Sequence, residues 1–363
     1  MGNCSFQSDS LDPTVARPVA LCKASFQYLY PIGKGGFGKV WRVELRSSHQ
    51  IYAMKEMLKS RVVSKRSVSS VLNERKLLSL LKHPFIVNML YAFQDRDNLY
   101  LVMDLMPGGD LRFHIGRQKR FSEEQTKFFI ACLLTGLEYL HVNSVIHRDI
   151  KPENLVLDSR GYLRITDFGI ARVLSPDNSH DTSGTPGYMA PEVMCRMNHG
   201  IAADYFAVGV IVYEFMLGRR PYSGRNRKEI KDQILAKQAQ LKRGEIPENW
   251  SVEAADFTNK LLQRKPQNRL GFNGPQEAKN HAWLRGFPWQ KLMEKRLDAP
   301  FKPEEVDNFD PRHLGEWNDQ EALDKSAEAM QEAALQNLFA GYHFDGTRKQ
   351  AAADQTVLLS SKA

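Results

Sequence analysis

The segment His147-Arg148-Asp149-Ile150-Lys151-Pro152-Glu153-Asn154 gathers two carboxylates, a lysine and an amide in one short stretch, and Asp167-Phe168-Gly169 follows with a further carboxylate. Phosphoryl transfer from a metal nucleotide requires such groups: an acceptor for the proton of the incoming hydroxyl, oxygen ligands for Mg²⁺, and a cation for the moving phosphoryl group. Upstream, Ile32-Gly33-Lys34-Gly35-Gly36-Phe37-Gly38-Lys39-Val40 satisfies G-x-G-x-x-G-x-V, and Tyr52-Ala53-Met54-Lys55 comes next. Glycines alone explain a tight turn as well as a phosphate cradle, so the ordered set of motifs carries the argument.

The surrounding pattern says how these residues are held. Tyr28, Tyr30 and Ile32 before the glycines, and Val40, Trp41 and Val43 after them, predict two strands, so the glycines form a hairpin over phosphates rather than open a helix. That argues against a dinucleotide-binding fold, which needs strand, turn and helix. Over 67–81, Val71, Leu72, Leu77, Leu78 and Leu81 recur at helical spacing and put Glu74 on a helix. Helix-rich sequence dominates after Ser122.

Composition bounds the rest. With 363 residues, 25% charged and 42% hydrophobic, the chain has material for two lobes and a sizeable core. No apolar run reaches the ~18 residues that span a bilayer, and no secretory leader with an apolar core is read at the start, so a cytoplasmic location is expected. Cys4, Cys22, Cys132 and Cys195 lack metal-ligand spacing and are read as reduced thiols. The formal charge of +8 could suit a nucleic acid, but acidic residues interleave with the basic ones. These are read as solvated faces, with no nucleic-acid partner.

Residues 33–40, Lys55, Glu74, the Asp149 loop, Asp167-Phe168-Gly169 and Ala190-Pro191-Glu192 together resemble the signature set of a eukaryotic protein kinase, in the right order. The resemblance implies an α+β, bilobal protein kinase fold: a small β-rich lobe with one main helix and a larger, mostly helical lobe. It divides the chain into an N-terminal arm over 1–25, a kinase domain over 26–284, a C-terminal extension over 285–345 and a flexible tail over 346–363. It further implies that Lys55 holds the α and β phosphates of ATP with Glu74 as its partner. Asp149 would accept the hydroxyl proton, Lys151 neutralise the transferring group, and Asn154 and Asp167 hold Mg²⁺. The phosphates would lie under Gly33, Lys34, Gly35, Gly36, Phe37, Gly38 and Lys39. The base would sit between Ile32, Val40 and Ala53 above and Val156 below, with Met103 behind and Asp104 and Met106 on the linker. Asp110 and Glu153 complete the nucleotide-side set, and Glu192 and Arg269 resemble the family's buried large-lobe ion pair.

The C-terminal extension is similar to that of the AGC group. Ala299-Pro300-Phe301-Lys302-Pro303 and Asn308-Phe309-Asp310 resemble the tail segment that crosses the nucleotide cleft, with Phe309 contributing to the site. Phe339-Ala340-Gly341-Tyr342-His343-Phe344 resembles the hydrophobic motif that docks on the small lobe and biases the Glu74 helix toward its active position. The run from Asp104-Leu105-Met106 to Phe113-His114, together with Gly218-Arg219-Arg220-Pro221-Tyr222, is similar to the YANK branch. Two positions depart from the AGC pattern: His343 stands where the motif has Ser or Thr, and Asp181, beside Thr182, where the activation segment has its phosphothreonine. Arg148 and Arg172 are placed to receive an anion there, so a fixed carboxylate would partly replace the phosphate; phosphorylation of Thr182 is the competing account. Asp110, Glu153 and Asp232 stand where basophilic AGC kinases bind arginines, which predicts Arg two and three residues before the acceptor.

The expected activity is ATP- and Mg²⁺-dependent phosphorylation of serine or threonine in protein substrates by a monomer, since Lys151 and Thr185 match the serine/threonine pattern. A pseudokinase scaffold is the alternative from another class; intact Lys55, Asp149, Asn154 and Asp167 speak against it. A small-molecule kinase would not need Ala190-Pro191-Glu192 or the C-terminal extension. In Met1-Gly2-Asn3-Cys4-Ser5-Phe6, Gly2 is an acylation candidate and Cys4 a second site, although the pattern wants Ser or Thr where Phe6 stands. A single myristoyl chain holds a protein to a membrane only marginally, so lasting attachment needs Cys4 or the basic surface as well.

Overall fold

The computed structural model describes residues 21–304 and 336–347. The small lobe is built on strands β1 (Phe26–Lys34), β2 (Gly38–Leu45), β3 (Gln50–Leu58), β4 (Met89–Gln94) and β5 (Asn98–Asp104), with α1 (Lys59–Ser64) and α2 (Val68–Leu80) inserted between β3 and β4. From Trp41 to Leu45 apolar and polar residues alternate along β2, and the strand buries Val43 and Leu45. That is the pattern of a half-buried strand. All neighbouring pairs are antiparallel: β1 and β2 form the glycine hairpin, Val40 pairs with Lys55 of β3, and Ala53 of β3 pairs with Met103 of β5. The helix expected over 67–81 runs from Val68 to Leu80, with Ser67 at its N-cap position, and buries Val71, Glu74, Leu77 and Leu78. Spacings of three and four put these on one face, so Glu74 enters the lobe with the apolar residues.

The large lobe contains α3 (Leu111–Gln118), α4 (Glu123–Val142), short strands β6 (Val145–Ile146), β7 (Leu155–Leu157), β8 (Leu163–Ile165) and β9 (Arg172–Val173), then α5 (Pro191–Met194), α6 (Ala202–Leu217), α7 (Arg227–Ala236), α8 (Val252–Leu261), α9 (Pro275–Lys279) and α10 (Trp289–Met293). Ser122 and Gln125 form a reciprocal capping box at the start of α4. Gly218, at φ 72°, ends α6 in the left-handed conformation that favours glycine. Apart from its last residue α6 is buried throughout, and it packs on α4 and α8 as the centre of the lobe. The β6–β9 and β7–β8 ribbons flank the segments from His147 to Asn154 and from Thr166 to Ala171 and so fix both ends of each chemical loop.

The segment after α10 packs on the large lobe through Phe301, whose ring meets His114, Phe121 and Phe129 edge-on. The chain is next described at Gln336, and β10 (Phe344–Asp345) adds antiparallel to β4 as the outer strand of a six-stranded sheet ordered β1-β2-β3-β5-β4-β10. The tail residue Phe309 and the acylation residues Gly2 and Cys4 lie outside the described residues. Cys22, Cys132 and Cys195 are free thiols. Among the described residues no helix is long and apolar enough to cross a membrane.

Candidate active site

A cleft of about 530 Å³ opens between the lobes. Of the residues expected to contact nucleotide or metal, Ile32, Gly33, Lys34, Gly35, Gly36, Phe37, Val40, Ala53, Lys55, Met103, Asp104, Met106, Asp110, Glu153, Asn154, Val156 and Asp167 line it, as do Glu74 and Lys151. Gly38 and Lys39 do not. Strand alternation gives the reason for Lys39: Val40 faces the cleft, so Lys39 shares the opposite face with Trp41 and sets its ammonium over the indole, 5.5 Å from the ring centre. Gly38 serves the hairpin itself, since a Cβ there would stand 1.8 Å from the Glu56 carbonyl oxygen. The hairpin tip closes through the Gly35 N–H donating to Gly38 O at 2.8 Å.

At the roof, Lys55 Nζ donates to both oxygens of Glu74, at 2.8 and 3.0 Å. Burial works against the Lys55 ammonium, but the charges of Glu74 and Asp167 outweigh it and hold its pKa above the ordinary lysine value. Burial pushes the Glu74 carboxyl up, and Lys55 opposes the shift. The linker side is apolar at Met106 and Val156. The Asp104 carboxylate turns away to accept from Arg164 Nη1 at 2.5 Å and Asn88 Nδ2 at 3.0 Å.

On the floor, every oxygen of the Asp149 carboxylate is engaged. Oδ2 accepts from Lys151 Nζ (2.7 Å) and Asn154 Nδ2 (3.1 Å), and Oδ1 from the Thr185 hydroxyl (2.7 Å) and N–H (3.1 Å). Lys151 Nζ also donates to Thr185 Oγ1 at 2.8 Å, which closes a triangle of acid, cation and hydroxyl. Asp149 faces a cavity of about 230 Å³ next to the main cleft, shared with Glu74 and Asp167.

The loop is held from below by Asp204 of α6. Its buried carboxylate accepts from the backbone N–H of His147 (3.0 Å) and Arg148 (2.8 Å) and pairs with His141 Nε2 (2.9 Å). Burial raises the Asp204 pKa, but these partners reverse the effect and keep it below the usual carboxylate range. Arg148 and Asp167 both adopt left-handed backbone, φ 68° and 64°, a conformation disfavoured for residues with a Cβ and recurrent where a functional loop is held in place by its surroundings.

Asp167 and Asn154 suit a hard cation. Burial raises the Asp167 pKa, but Lys55, the Gly169 N–H, His147 and Lys151 together bring it below the ordinary aspartate value, so it stays ionised. Asn154 is pinned by its amide nitrogen on Asp149, and no described hydrogen bond ends on its side-chain oxygen. Mg²⁺ is characteristically held by one or two such protein ligands and completed by substrate phosphates and water. The described residues contain no group of three His, Cys, Asp or Glu side chains able to hold an ion on their own.

Three further groups surround this machinery. Arg269 holds Glu192 through paired bonds of 2.6 and 3.0 Å, both side chains fully buried, as expected. Arg148 pairs with Asp181 in the activation segment, and Asn73 of α2 donates to Ala171 O at 2.9 Å, which ties the Glu74 helix to the same segment. The C-terminal motif buries Phe339 and Tyr342 completely on the small lobe while His343 stays exposed. Docking uses the backbone: Gln94 Nε2 donates to Phe339 O (2.9 Å), Arg75 to the carbonyls of Tyr342 (3.1 Å) and His343, and the Gly346 N–H to Leu90 O (2.8 Å).

Two variants separate the parts of this contact. Phe339→Ala is expected to remove about 3–5 kcal/mol of packing and release the motif. Amide exchange in α2 and β4 should then accelerate. Among the described residues the buried Tyr342 hydroxyl has no partner, so Tyr342→Phe is expected to be neutral or stabilising by up to about 1 kcal/mol. Unchanged exchange in Phe339→Ala would remove the docking from the account.

Sequence reasoning missed Asp204, Thr185 as the second partner of Asp149, and Arg112. It also grouped Asp232 with Asp110 and Glu153 as positions that would bind substrate arginines. Asp232 stands exposed on α7 and does not line the cleft, and the carboxylate that shares Arg112 with Glu153 is Glu214 of α6. Its signal was a lone acidic residue inside an apolar run, the same signal that marks Asp204.

The two lobes and the cleft between them have the architecture of a protein kinase, and the model of the protein kinase domain matches residues 26–284. The chain belongs to the eukaryotic protein kinases, within their AGC group. It is 38% identical to Protein kinase 2 of Dictyostelium discoideum over 295 residues, 80% of this chain and 60% of that protein. It is 37% identical to the human RAC-beta serine/threonine-protein kinase over 323 residues, 86% of this chain and 66% of the relative. With serine/threonine-protein kinase AtPK1/AtPK6 of Arabidopsis thaliana it shares 35% over 331 residues, 88% and 68% of the two chains. It thus spans about 60–68% of the length of these relatives.

Proposed function

We propose that this chain transfers the γ-phosphoryl group of ATP to serine or threonine of protein substrates. The observation that carries the reading is the Asp149–Lys151–Thr185 triangle, set opposite an intact Lys55–Glu74 pair in one cleft. Asp149 is the base within reach of an entering hydroxyl, and Thr185 and Asn154 orient its carboxylate. Lys151 supplies positive charge at the point where the phosphoryl group passes, and Lys55 fixes the other phosphates. Asp167 and Asn154 would hold Mg²⁺, which, when bound, neutralises phosphate charge. Nothing in the cleft favours a catalytically inert scaffold: each of these residues is present and in contact with its partner.

The direct test is transfer from labelled ATP to peptide mixtures offering serine, threonine or tyrosine, with Lys55→Met as the control. Incorporation into serine and threonine that disappears in the control supports the proposal; incorporation into tyrosine alone, or equal labelling by Lys55→Met, overturns it. The proposal includes a monomeric, cytoplasmic protein with Gly2 and Cys4 as the route to a membrane. Labelling with a myristate analogue, against Gly2→Ala, tests that part.

A further inference from the structure

Arg112 is the second residue of α3, next to the Asp110 cap. Its guanidinium donates from Nε to Glu153 Oε1 at 2.9 Å, from Nη1 to Glu214 Oε1 at 2.8 Å, and from Nη2 to Glu214 Oε2 at 3.2 Å and to the Tyr188 hydroxyl. The Tyr188 hydroxyl in turn donates to Glu214 Oε2 at 2.5 Å. Glu214 is buried, its side chain only 8% exposed, whereas the Glu153 side chain is 42% exposed and lines the cleft with Lys151 and Thr185. Arg112 therefore grips the buried carboxylate with two nitrogens and the exposed one with a third. The planar fork of arginine suits this bidentate grip.

A substrate that presents its hydroxyl to Asp149 must lay its neighbouring residues across this part of the large lobe. Beside the Asp110 carboxylate, which accepts from the Phe113 N–H as the cap of α3, the Glu153–Glu214 pair is the acidic feature there, and a peptide arginine would seek the same oxygens that Arg112 holds. We infer that Arg112 is an internal arginine that occupies the Glu153–Glu214 pair, so that the chain selects substrates without drawing on a peptide arginine at that subsite. This rests on the function proposed above and revises the arginine preference expected from the acidic residues.

The physical reason is competition on unequal terms. Arg112 is tethered to the helix beside its partners and binds at a high effective concentration, while a peptide arginine arrives from solution. An incoming guanidinium that took the oxygens Arg112 holds would only exchange one arginine for another on the same carboxylates, leaving Arg112 without its partners. With Arg112 in place the pair keeps one net negative charge and, among the described residues, a single ungripped oxygen, Glu153 Oε2. Without it, two carboxylates would face the peptide with no cation between them, the buried one keeping only the Tyr188 hydroxyl among its described partners. Arg112 is thus a specificity-determining residue and takes no part in the transfer itself.

The test uses the full chain and a set of serine peptides in which each position around the acceptor carries Arg or Ala. Each peptide is read both as a phosphorylation rate and as equilibrium binding by fluorescence anisotropy. In Arg112→Ala and Arg112→Gln the ratio of Arg to Ala should rise by about tenfold or more at one position, the effect of one charge-assisted hydrogen bond, and the gain should vanish when Glu153→Ala is added. Arg112→Gln guards against misfolding, because its amide can still bond the carboxylates. Wild type should show no arginine preference that Glu153→Ala removes. The inference is overturned if wild type already prefers arginine about tenfold at a position where Glu153→Ala abolishes the preference, or if neither Arg112 variant gains selectivity. Should no form phosphorylate any peptide, the proposed function falls, and the binding ratios still decide the role of Arg112.

Discussion

Asp149→Asn is expected to lower turnover by about 10²–10⁴-fold, the range a positioned proton acceptor contributes, while largely sparing nucleotide affinity. The structure adds a reason beyond the lost base. Whichever way the new amide turns, its NH₂ meets donors on one side: Lys151 Nζ and Asn154 Nδ2, or the Thr185 hydroxyl and N–H. Lys151 then loses an anionic partner, and its own position at the phosphoryl path loosens. Asp167→Asn should differ in kind. Asp167 makes a single described hydrogen bond, from the Gly169 N–H at 3.3 Å, so the substitution leaves the fold intact but removes the carboxylate aimed at the metal. Thermal unfolding separates the two variants. Saturating Mg-ATP should stabilise wild type and Asp149→Asn, by about 2.7 kcal/mol at a hundredfold excess over Kd, and Asp167→Asn much less. Near-wild-type turnover by both variants would sink the assignment of roles.

How these residues came to be legible follows from their spacing. Asp149, Lys151, Asn154 and Asp167 sit on two short loops, each between two strands, so sequence order nearly equals spatial order there. Lys55 and Glu74 were readable because a strand and an amphipathic helix fix the direction of each side chain. Asp204 was not, because it acts on backbone N–H groups 56 and 57 residues earlier and nothing local reports that reach. Arg112 escaped for the same reason: its partners lie 41 and 102 residues away, and from sequence an arginine near a helix start reads as a solvated charge. Lys39 shows the reverse error. The glycine motif marks the loop correctly, but the strand's two-residue period decides which of its residues face the cleft.

Loss of Asp181 should have the second large effect, on activity in the absence of phosphate. The Arg148 side chain is almost fully buried and pairs with Asp181, whose own side chain is 30% exposed. Arg172 lies close enough that the charge of Asp181 favours its ionised form, although burial and Arg148 prevail and lower its pKa. Removing the carboxylate leaves a buried guanidinium whose remaining described side-chain contact is the Ile170 carbonyl, and a segment no longer drawn onto the catalytic loop. Unpairing a buried charge costs about 3–5 kcal/mol in full burial, and less here because Asp181 is partly solvated. Asp181→Ala is therefore expected to depress basal turnover, with faster proteolysis between Gly169 and Gly184.

The pH response distinguishes this fixed anion from a phosphate. Burial raises the Asp181 pKa, but Arg148 and Ser183 bring it below the ordinary aspartate value. A carboxyl depressed on folding contributes stability that is fully present above its unfolded pKa and lost only as pH falls through the lower folded value. Protection of the activation segment should consequently stay flat from about pH 5.5 to 8, well above the unperturbed aspartate value near 3.9. A phosphate on Thr182, whose second ionisation lies near pH 6, would instead strengthen its hold across that window. Thr182→Ala should leave both the activity and the flat profile in place. A phosphatase-treated protein that is inactive until Thr182 is modified, with protection rising between pH 5.5 and 7, would assign the anion to Thr182 and reject the built-in carboxylate.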